Sequence, residues 1–237
     1  MSEWKARRFW TEVSTRAAGD GFEVVLDDKP LRSPNKHPLI LPTEALARAL
    51  AEEWRAQEDL IRPLTMPLTR AANSATERVA PQFEDVASML AEYAGTDLLS
   101  YRATGPQVLV RRQAEAWDPL IAWAARDLDA PLRVTEGVIP VPQDPAALAR
   151  LHDRLRALDL YGLTALHDLV TIPGSLILGL AVIEGRLTGE EAHHLSRIDE
   201  DFQAEEWGHD EDAAAVAEGR RLSILVAERL WHLSRRG

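Results

Sequence analysis

Short apolar runs alternate with turn-forming residues through the first forty positions, which is the pattern of short β-strands. Phe22–Leu26 is rich in strand formers, and Asp27–Pro30 supplies a turn directly after it. Arg7–Val13, which carries an aromatic pair, and Leu39–Leu41 are two further short candidates. Four prolines between positions 30 and 42 keep such strands short and near sheet edges. The pattern predicts a small β-rich domain in residues 1–42.

After Pro42 the apolar spacing changes from that of strands to that of helices. Thr43 is placed to cap a helix, and Leu46, Leu50 and Trp54 then recur every four residues on one helix face. Its place in this stripe predicts that Trp54 is buried and serves chiefly to stabilise the fold.

Helix signals continue to the end of the chain. They cover Pro67–Val79, Pro81–Ala94, a start at Asp118-Pro119, a segment from Asp144-Pro145 to Leu158, a capping box at Thr188–Glu191 and a last helix over Asp212–Leu233. Asp97–Arg102 is expected to form a short strand. Trp117 and Trp123 lie in amphipathic patterns and are assigned structural roles. The predicted fold class is α+β, a small β-rich N-terminal domain (1–42) followed by a larger, mostly α-helical domain (43–237).

The longest apolar stretch, Leu169–Ile183, has fifteen residues and is interrupted by Pro173 and Gly174. Because a bilayer crossing needs about 20 apolar residues, we expect a buried helix here. The opening residues lack the apolar core of a secretory signal, which favours a cytoplasmic location. No membrane insertion is expected.

Composition narrows the classes of function. The 38 acidic and 27 basic side chains give a net charge of -11, which disfavours nucleic acid because affinity for phosphate backbones comes from Lys and Arg. The absence of cysteine excludes disulfides, thiolate zinc sites and cysteine nucleophiles. No glycine-rich phosphate loop is present, so we expect no nucleotide and no cofactor, and action by binding alone.

The residues suggest two enzymatic interpretations. Ser175, near His167 and Asp168, lacks the second glycine of a nucleophile elbow, and the start of a buried helix is the expected alternative. The second interpretation is a metal-dependent helix-bundle enzyme, because such enzymes bind their metals through Glu-x-x-His pairs. They are Glu190 with His193, Glu191 with His194, and Glu206 with His209. The first two pairs point about 100° apart on one helix, so solvated charges explain them better.

Eight carboxylates and no Lys or Arg occupy the fourteen residues of Asp199–Asp212, which we call the acidic segment. Such a run is usually a solvated helix face, with Leu195, Ile198 and Phe202 as its buried stripe. Trp207 is unusual on such a face, and a large aromatic beside acids is typical of a partner-binding edge. Trp207 and Trp4 are the tryptophans expected to be exposed.

An ordered series of motifs spans nearly the whole chain. It consists of Arg8-Phe9-Trp10, Leu26-Asp27-Asp28-Lys29-Pro30, Leu41-Pro42-Thr43, Glu53-Trp54 with Gln57, Met66-Pro67-Leu68-Thr69 with Asn73, Tyr93 with Thr96-Asp97-Leu98-Leu99, Tyr101-Arg102, Arg112-Gln113, Trp117-Asp118-Pro119-Leu120, and Phe202-Gln203 with Trp207-Gly208 and Glu211. In order and spacing the series resembles the ATP synthase assembly chaperones specific for the alpha subunit, the Atp-twelve family. Asp28 and Ser100 depart from it, standing where glycine and cysteine are common.

This resemblance implies a chaperone, not an enzyme, that binds unassembled alpha subunit and shields a surface later covered by beta subunits. It implies no nucleotide hydrolysis, and an alphaproteobacterial member of a family that also occurs in mitochondria. The family pattern highlights Trp54 and Glu211. Our hypothesis is that the alpha subunit meets a surface formed by Trp207, Glu211, Glu205 and Asp210.

Overall fold

A computed structural model describes residues 7–208 and 210–235 of the chain. The described residues form two compact units. The first comprises Met1–Gln82, Leu160–Thr164 and Arg229–Gly237, as far as these ranges are described, and the second comprises Phe83–Asp159 and Ala165–Glu228. Small sheets accompany a much larger helical part, which confirms the α+β class. The boundary near Pro42 between independent domains stays a prediction.

The secondary structure elements follow in chain order. The strands are β1 Val13–Ala18, β2 Gly21–Leu26, β3 Lys29–Pro30, β4 Tyr101–Arg102 and β5 Thr135–Glu136. The helices are α1 Glu44–Arg55, α2 Pro67–Ser74, α3 Phe83–Glu92, α4 Gln107–Asp127, α5 Pro145–Arg156, α6 Leu160–Thr171, α7 Leu176–Ile183, α8 Gly189–Ser196, α9 Ile198–Trp207 and α10 Glu211–Ser234. Short 3-10 turns and one π turn join several of them.

An antiparallel sheet in the order β1-β2-β3 begins the first unit. The predicted strand at Phe22–Leu26 is confirmed as β2, and Asp27 turns the chain after it with a φ of 53°. The Asp27 carboxylate accepts the amides of Thr11 and Glu12 at 2.9 and 2.8 Å, and these hydrogen bonds lower its pKa. The strand expected at Leu39–Leu41 is reduced to one bridge between Leu41 and Phe22.

Several predicted helix starts are confirmed because the capping residue is adjacent in sequence. Thr43 accepts the Leu46 amide at 3.1 Å, and Asp144 caps α5. Thr188 and Glu191 form the predicted capping box of α8. The last helix also lies where it was expected. Nowhere in residues 7–208 or 210–235 is a helix long and apolar enough to cross a membrane.

The helix start predicted at Asp118-Pro119 is wrong. Helix α4 continues through Pro119, which forfeits only the hydrogen bond to the Glu115 carbonyl. The carboxylate of Asp118 forms an ion pair with Arg102 at 2.8 Å instead of capping a helix. Most of the strand expected at Asp97–Arg102 is likewise a 3-10 turn, and only Tyr101–Arg102 is extended.

The single buried helix expected over Leu169–Ile183 is two helices, α6 and α7. Gly174, with a φ of 74°, lies in the turn between them. Ser175 caps α7 by accepting the Leu178 amide at 3.0 Å, so its predicted place at a helix start is confirmed. The Ser175 hydroxyl also donates to Asp97 at 2.7 Å, which accounts for its burial without a catalytic role.

Candidate partner-binding surface

The described residues of the acidic segment lie in α9, at its end and at the start of α10. Gly208 ends α9 with a φ of 98°, a conformation that favours glycine. Asp210 then caps α10, because its Oδ1 accepts the amides of Asp212 and Ala213 at 2.8 and 3.1 Å. Asp210 therefore stabilises the second helix directly, in addition to the partner contact predicted for it.

Every described residue from 205 to 216 is exposed, and we call this stretch the exposed segment. Trp207 has 89% of its surface exposed at the end of α9, and Val216 has 56% exposed in the second turn of α10. Ala217 is the first buried residue of α10. An indole and several apolar side chains thus lie beside carboxylates in a stretch of chain that covers no core.

Glu205 and Glu211 occupy different electrostatic settings within the exposed segment. Glu205 forms an ion pair with Arg112 Nη1 at 2.7 Å, and both side chains are about half exposed. Pairs of this kind contribute only about 0–1 kcal/mol, so a partner can displace Arg112 at little cost. Glu211 is exposed in the first turn of α10, where a carboxylate favours the helix dipole.

Of the predicted apolar stripe, Leu195 lies at the end of α8, whereas Ile198 and Phe202 lie on α9. Ile198 is buried, whereas Leu195 and Phe202 are half-buried. The guanidinium of Arg112 lies 5.4 Å from the centre of the Phe202 ring. The indole of Trp117 donates to the Leu195 carbonyl at 2.9 Å, which ties the end of α8 to α4.

The carboxylates of the first two Glu-x-x-His pairs have other partners. Glu190 forms an ion pair with Arg221 at 2.7 Å, while Glu191 accepts the backbone amide and hydroxyl of Thr188 in the capping box. Burial lowers the pKa of His193. The third pair ends at His209, outside the described residues. Among the residues described, no three His, Asp or Glu side chains cluster as a metal site would require.

The three tryptophans assigned to the fold lie at different depths. Trp117 and Trp123 are buried, with 1% and 5% of their surfaces exposed. The burial predicted for Trp54 is only partial, since the residue is half-buried with its ring centre 5.0 Å from that of the buried Trp10. The contribution of these three tryptophans to the stability of the fold stays a prediction. Trp4 lies outside the described residues.

Two buried polar residues escaped the sequence reasoning, although both belong to the motif series. Asp97 is fully buried and accepts hydrogen bonds from Leu99, Ser175 and Ile177, and its burial raises its pKa to about 6. Gln113 is 1% exposed and joins α4 to α9. For Gln113 the available signal was its place between Leu109 and Trp117 at the four-residue spacing of one helix face, but its distant partner could not be identified from local spacing.

Comparison with known proteins places these features in a family context. The family model described as "ATP12 chaperone protein" matches residues 7–125. Atp12 from Paracoccus denitrificans, a crystal structure, is 63% identical, covers 98% of this chain and 100% of its own, and superposes with a TM-score of 0.96. A protein of Agrobacterium tumefaciens is 38% identical, covering 98% of this chain and 87% of its own with a TM-score of 0.91. Protein atp12, mitochondrial, of Schizosaccharomyces pombe is 26% identical over 89% of this chain and 76% of its own length.

Proposed function

The chain belongs to the ATP12 chaperone protein family, and we propose that it binds the unassembled alpha subunit of the F-type ATP synthase and prevents its aggregation. Binding precedes assembly with beta subunits, requires no ATP and involves no catalytic step. The sequence supports this because it carries no phosphate-binding loop. The bacterial cytoplasm is the compartment in which the encounter would take place.

The observation that carries the proposal is the exposed segment. Trp207 is 89% exposed, and tryptophan is among the residues that most often dominate the free energy of protein association. The neighbouring carboxylates provide a polar rim around the indole and the exposed apolar side chains in the first turns of α10.

Each residue of the predicted surface has a distinct role in the proposed contact. Trp207 is the apolar anchor. Glu211 supplies an exposed negative charge, and Glu205 supplies a second one that is held by Arg112 until a partner replaces it. Asp210 orients the start of α10 through its capping hydrogen bonds. The surface therefore suits an apolar patch on the alpha subunit with basic residues beside it.

Protection follows from mass action. A newly made alpha subunit exposes the apolar faces that its neighbours later cover, and such faces aggregate. When the chaperone covers one of these faces, the concentration of unbound, aggregation-prone alpha subunit falls. The fall is larger when the chaperone concentration is higher relative to the dissociation constant of the complex. Release needs only a beta subunit that competes successfully, so no fuel is required.

Charge reversal at Glu211 tests both the function and the site. Wild-type protein should suppress the light scattering of aggregating alpha subunit at about equal concentration, without nucleotide. Glu211→Lys should require roughly tenfold more protein, because a positive charge faces a basic partner. Lys in the first helix turn also costs about 0.3–1 kcal/mol of stability, which circular dichroism will report.

Glu115→Lys is the matched control, since it places the same charge change on an exposed position of α4. It should protect the alpha subunit as well as wild type does. Equal potency of a folded Glu211→Lys variant and wild type would disprove the site, and a wild-type protein without effect on aggregation would disprove the function.

A further inference from the structure

One face of α4 holds the end of α8 and the length of α9. The contacts join Trp117 to Leu195, Gln113 to Asp199, and Arg112 to both Phe202 and Glu205. The three contacted positions on α9, 199, 202 and 205, follow one another at intervals of three residues, which places them on one face of that helix. Helix α9, which carries Trp207 at its end, thus packs against α4 as its support.

Gln113 is the most buried polar side chain in this support. Its Oε1 accepts the Ala103 amide at 2.8 Å, and its Nε2 donates to Asp199 Oδ1 at 2.5 Å. Its backbone carbonyl accepts Arg102 Nη1 at 3.3 Å. Both ends of the amide are therefore used, which fixes one orientation of the side chain. If the buried amide loses either partner, its desolvation is no longer offset by a hydrogen bond, and the folded state is destabilised.

The anchoring point lies at the first turn of α9, opposite the end that carries Trp207. Asp199 and Trp207 are eight residues apart, which corresponds to about 12 Å of helix. A tilt of about 10° at Asp199 would therefore move the indole by about 2 Å, more than the roughly 0.5 Å within which binding sites must be held. The exposed pair of Arg112 and Glu205 is screened by water and cannot provide this precision.

We infer that Gln113 is a positioning residue for partner binding. Through Asp199 it fixes the direction of α9 and thereby holds Trp207 and the start of α10 in the arrangement that the partner recognises. The inference rests on the proposed function, because it assigns Gln113 a role in that contact without touching the partner. Nothing in the exposed segment itself supplies an equivalent buried anchor within the described residues.

An exchange of the two polar groups tests the inference. Gln113→Glu places a carboxylate against the carboxylate of Asp199, and we expect it to weaken binding of purified alpha subunit tenfold or more. Asp199→Asn alone should change binding less than threefold, because its Oδ1 still accepts from Gln113. The double variant restores one donor and one acceptor, and Arg102, whose Nη2 has no hydrogen bond to the protein, balances the new charge. It should bind within threefold of wild type.

A role in stability alone would not produce this rescue at a temperature where all variants are folded. Hydrogen–deuterium exchange supplies a readout independent of the partner. Gln113→Glu should speed exchange of the amides in 198–207 while α5 and α7 stay protected, and the double variant should reverse the change. Binding by Gln113→Glu within threefold of wild type, or a double variant as weak as the single, would overturn the inference.

Asp199→Ala covers the case in which Gln113→Glu does not fold, because Asp199 is only half-buried. It removes the acceptor of Gln113 and should weaken binding about fivefold to tenfold, whereas Glu115→Ala, which removes an exposed carboxylate from α4, should not. Equal effects of these two variants would also overturn the inference. If wild type ignores the alpha subunit, the proposed function fails, and exchange in 198–207 still decides whether Gln113 positions α9.

Discussion

At the scale of single residues, carboxylates in this protein serve two opposite purposes. Asp97 is fully buried and joins distant parts of the second unit, because it accepts hydrogen bonds from Leu99 and from Ser175 and Ile177 far along the chain. Glu211 instead keeps its charge in water at the start of a helix. The buried group specifies the packing of α7, and the exposed group is available to a partner.

The buried group makes stability depend on pH. Burial raises the pKa of Asp97 from 3.8 to about 6, so the folded protein binds this proton more tightly than the unfolded chain does. Its stabilising contribution is complete below about pH 4 and is lost as the pH rises through about 6. Relative to Asp97→Asn, the free energy of unfolding of wild type should fall by roughly 2 kcal/mol between pH 4 and 7.

Urea unfolding of both proteins across this pH range measures the difference. The variant is the control for all other titrating groups, because these are common to the two proteins. A difference that stays constant with pH, or that grows in favour of wild type above pH 5, would contradict the raised pKa.

At the scale of elements, helix α2 shows how a cap can come from another helix. Met66 provides no side-chain cap at its start. Glu53 of α1 provides it instead, since its two carboxylate oxygens accept the amides of Leu68 and Thr69 at 2.8 Å, and one also accepts the Thr69 hydroxyl at 2.7 Å. A negative charge at this position also favours the dipole of α2.

Loss of this cap should destabilise the first unit. Glu53→Ala leaves two amides without their acceptor, and we expect the free energy of unfolding to fall by about 2 kcal/mol. Glu52→Ala, which removes the adjacent exposed carboxylate, should change it by less than about 0.5 kcal/mol. Urea denaturation of the two variants provides the comparison, and similar values for both would show that the cap adds nothing.

The caps also show which elements could be predicted from the sequence. Thr43 and Thr188 lie beside the helices they cap, so local spacing identified them. Glu53 lies fifteen and sixteen residues before the two amides it accepts, and the partner of Asp118 lies on another element. The Asp118-Pro119 start was wrong for this reason: tertiary pairing, not local capping, determined the role of the carboxylate. For the same reason, local spacing could not predict tertiary hydrogen bonds such as the one between Gln113 and Asp199.

At the scale of the whole molecule, composition and motif order predicted the fold class and the family, whereas the shape of the site came from the structure. The acidic segment and Trp207 were recognisable in the sequence. The exposure of every described residue from 205 to 216, including the alanines at 213–215 of α10, was not recognisable, because alanines in a helix are usually expected to pack. The net charge of -11 further favours a partner with a basic surface and an association that salt slows.

The central claim is that this protein acts by covering one face of a specific neighbour. Its most direct test is a pull-down in which tagged protein is offered purified, unassembled alpha and beta subunits together, without nucleotide. We predict recovery of the alpha subunit alone at close to one per chaperone, and its release as beta subunit is added in excess. Recovery of beta subunit in preference to alpha, or of neither, would contradict the account.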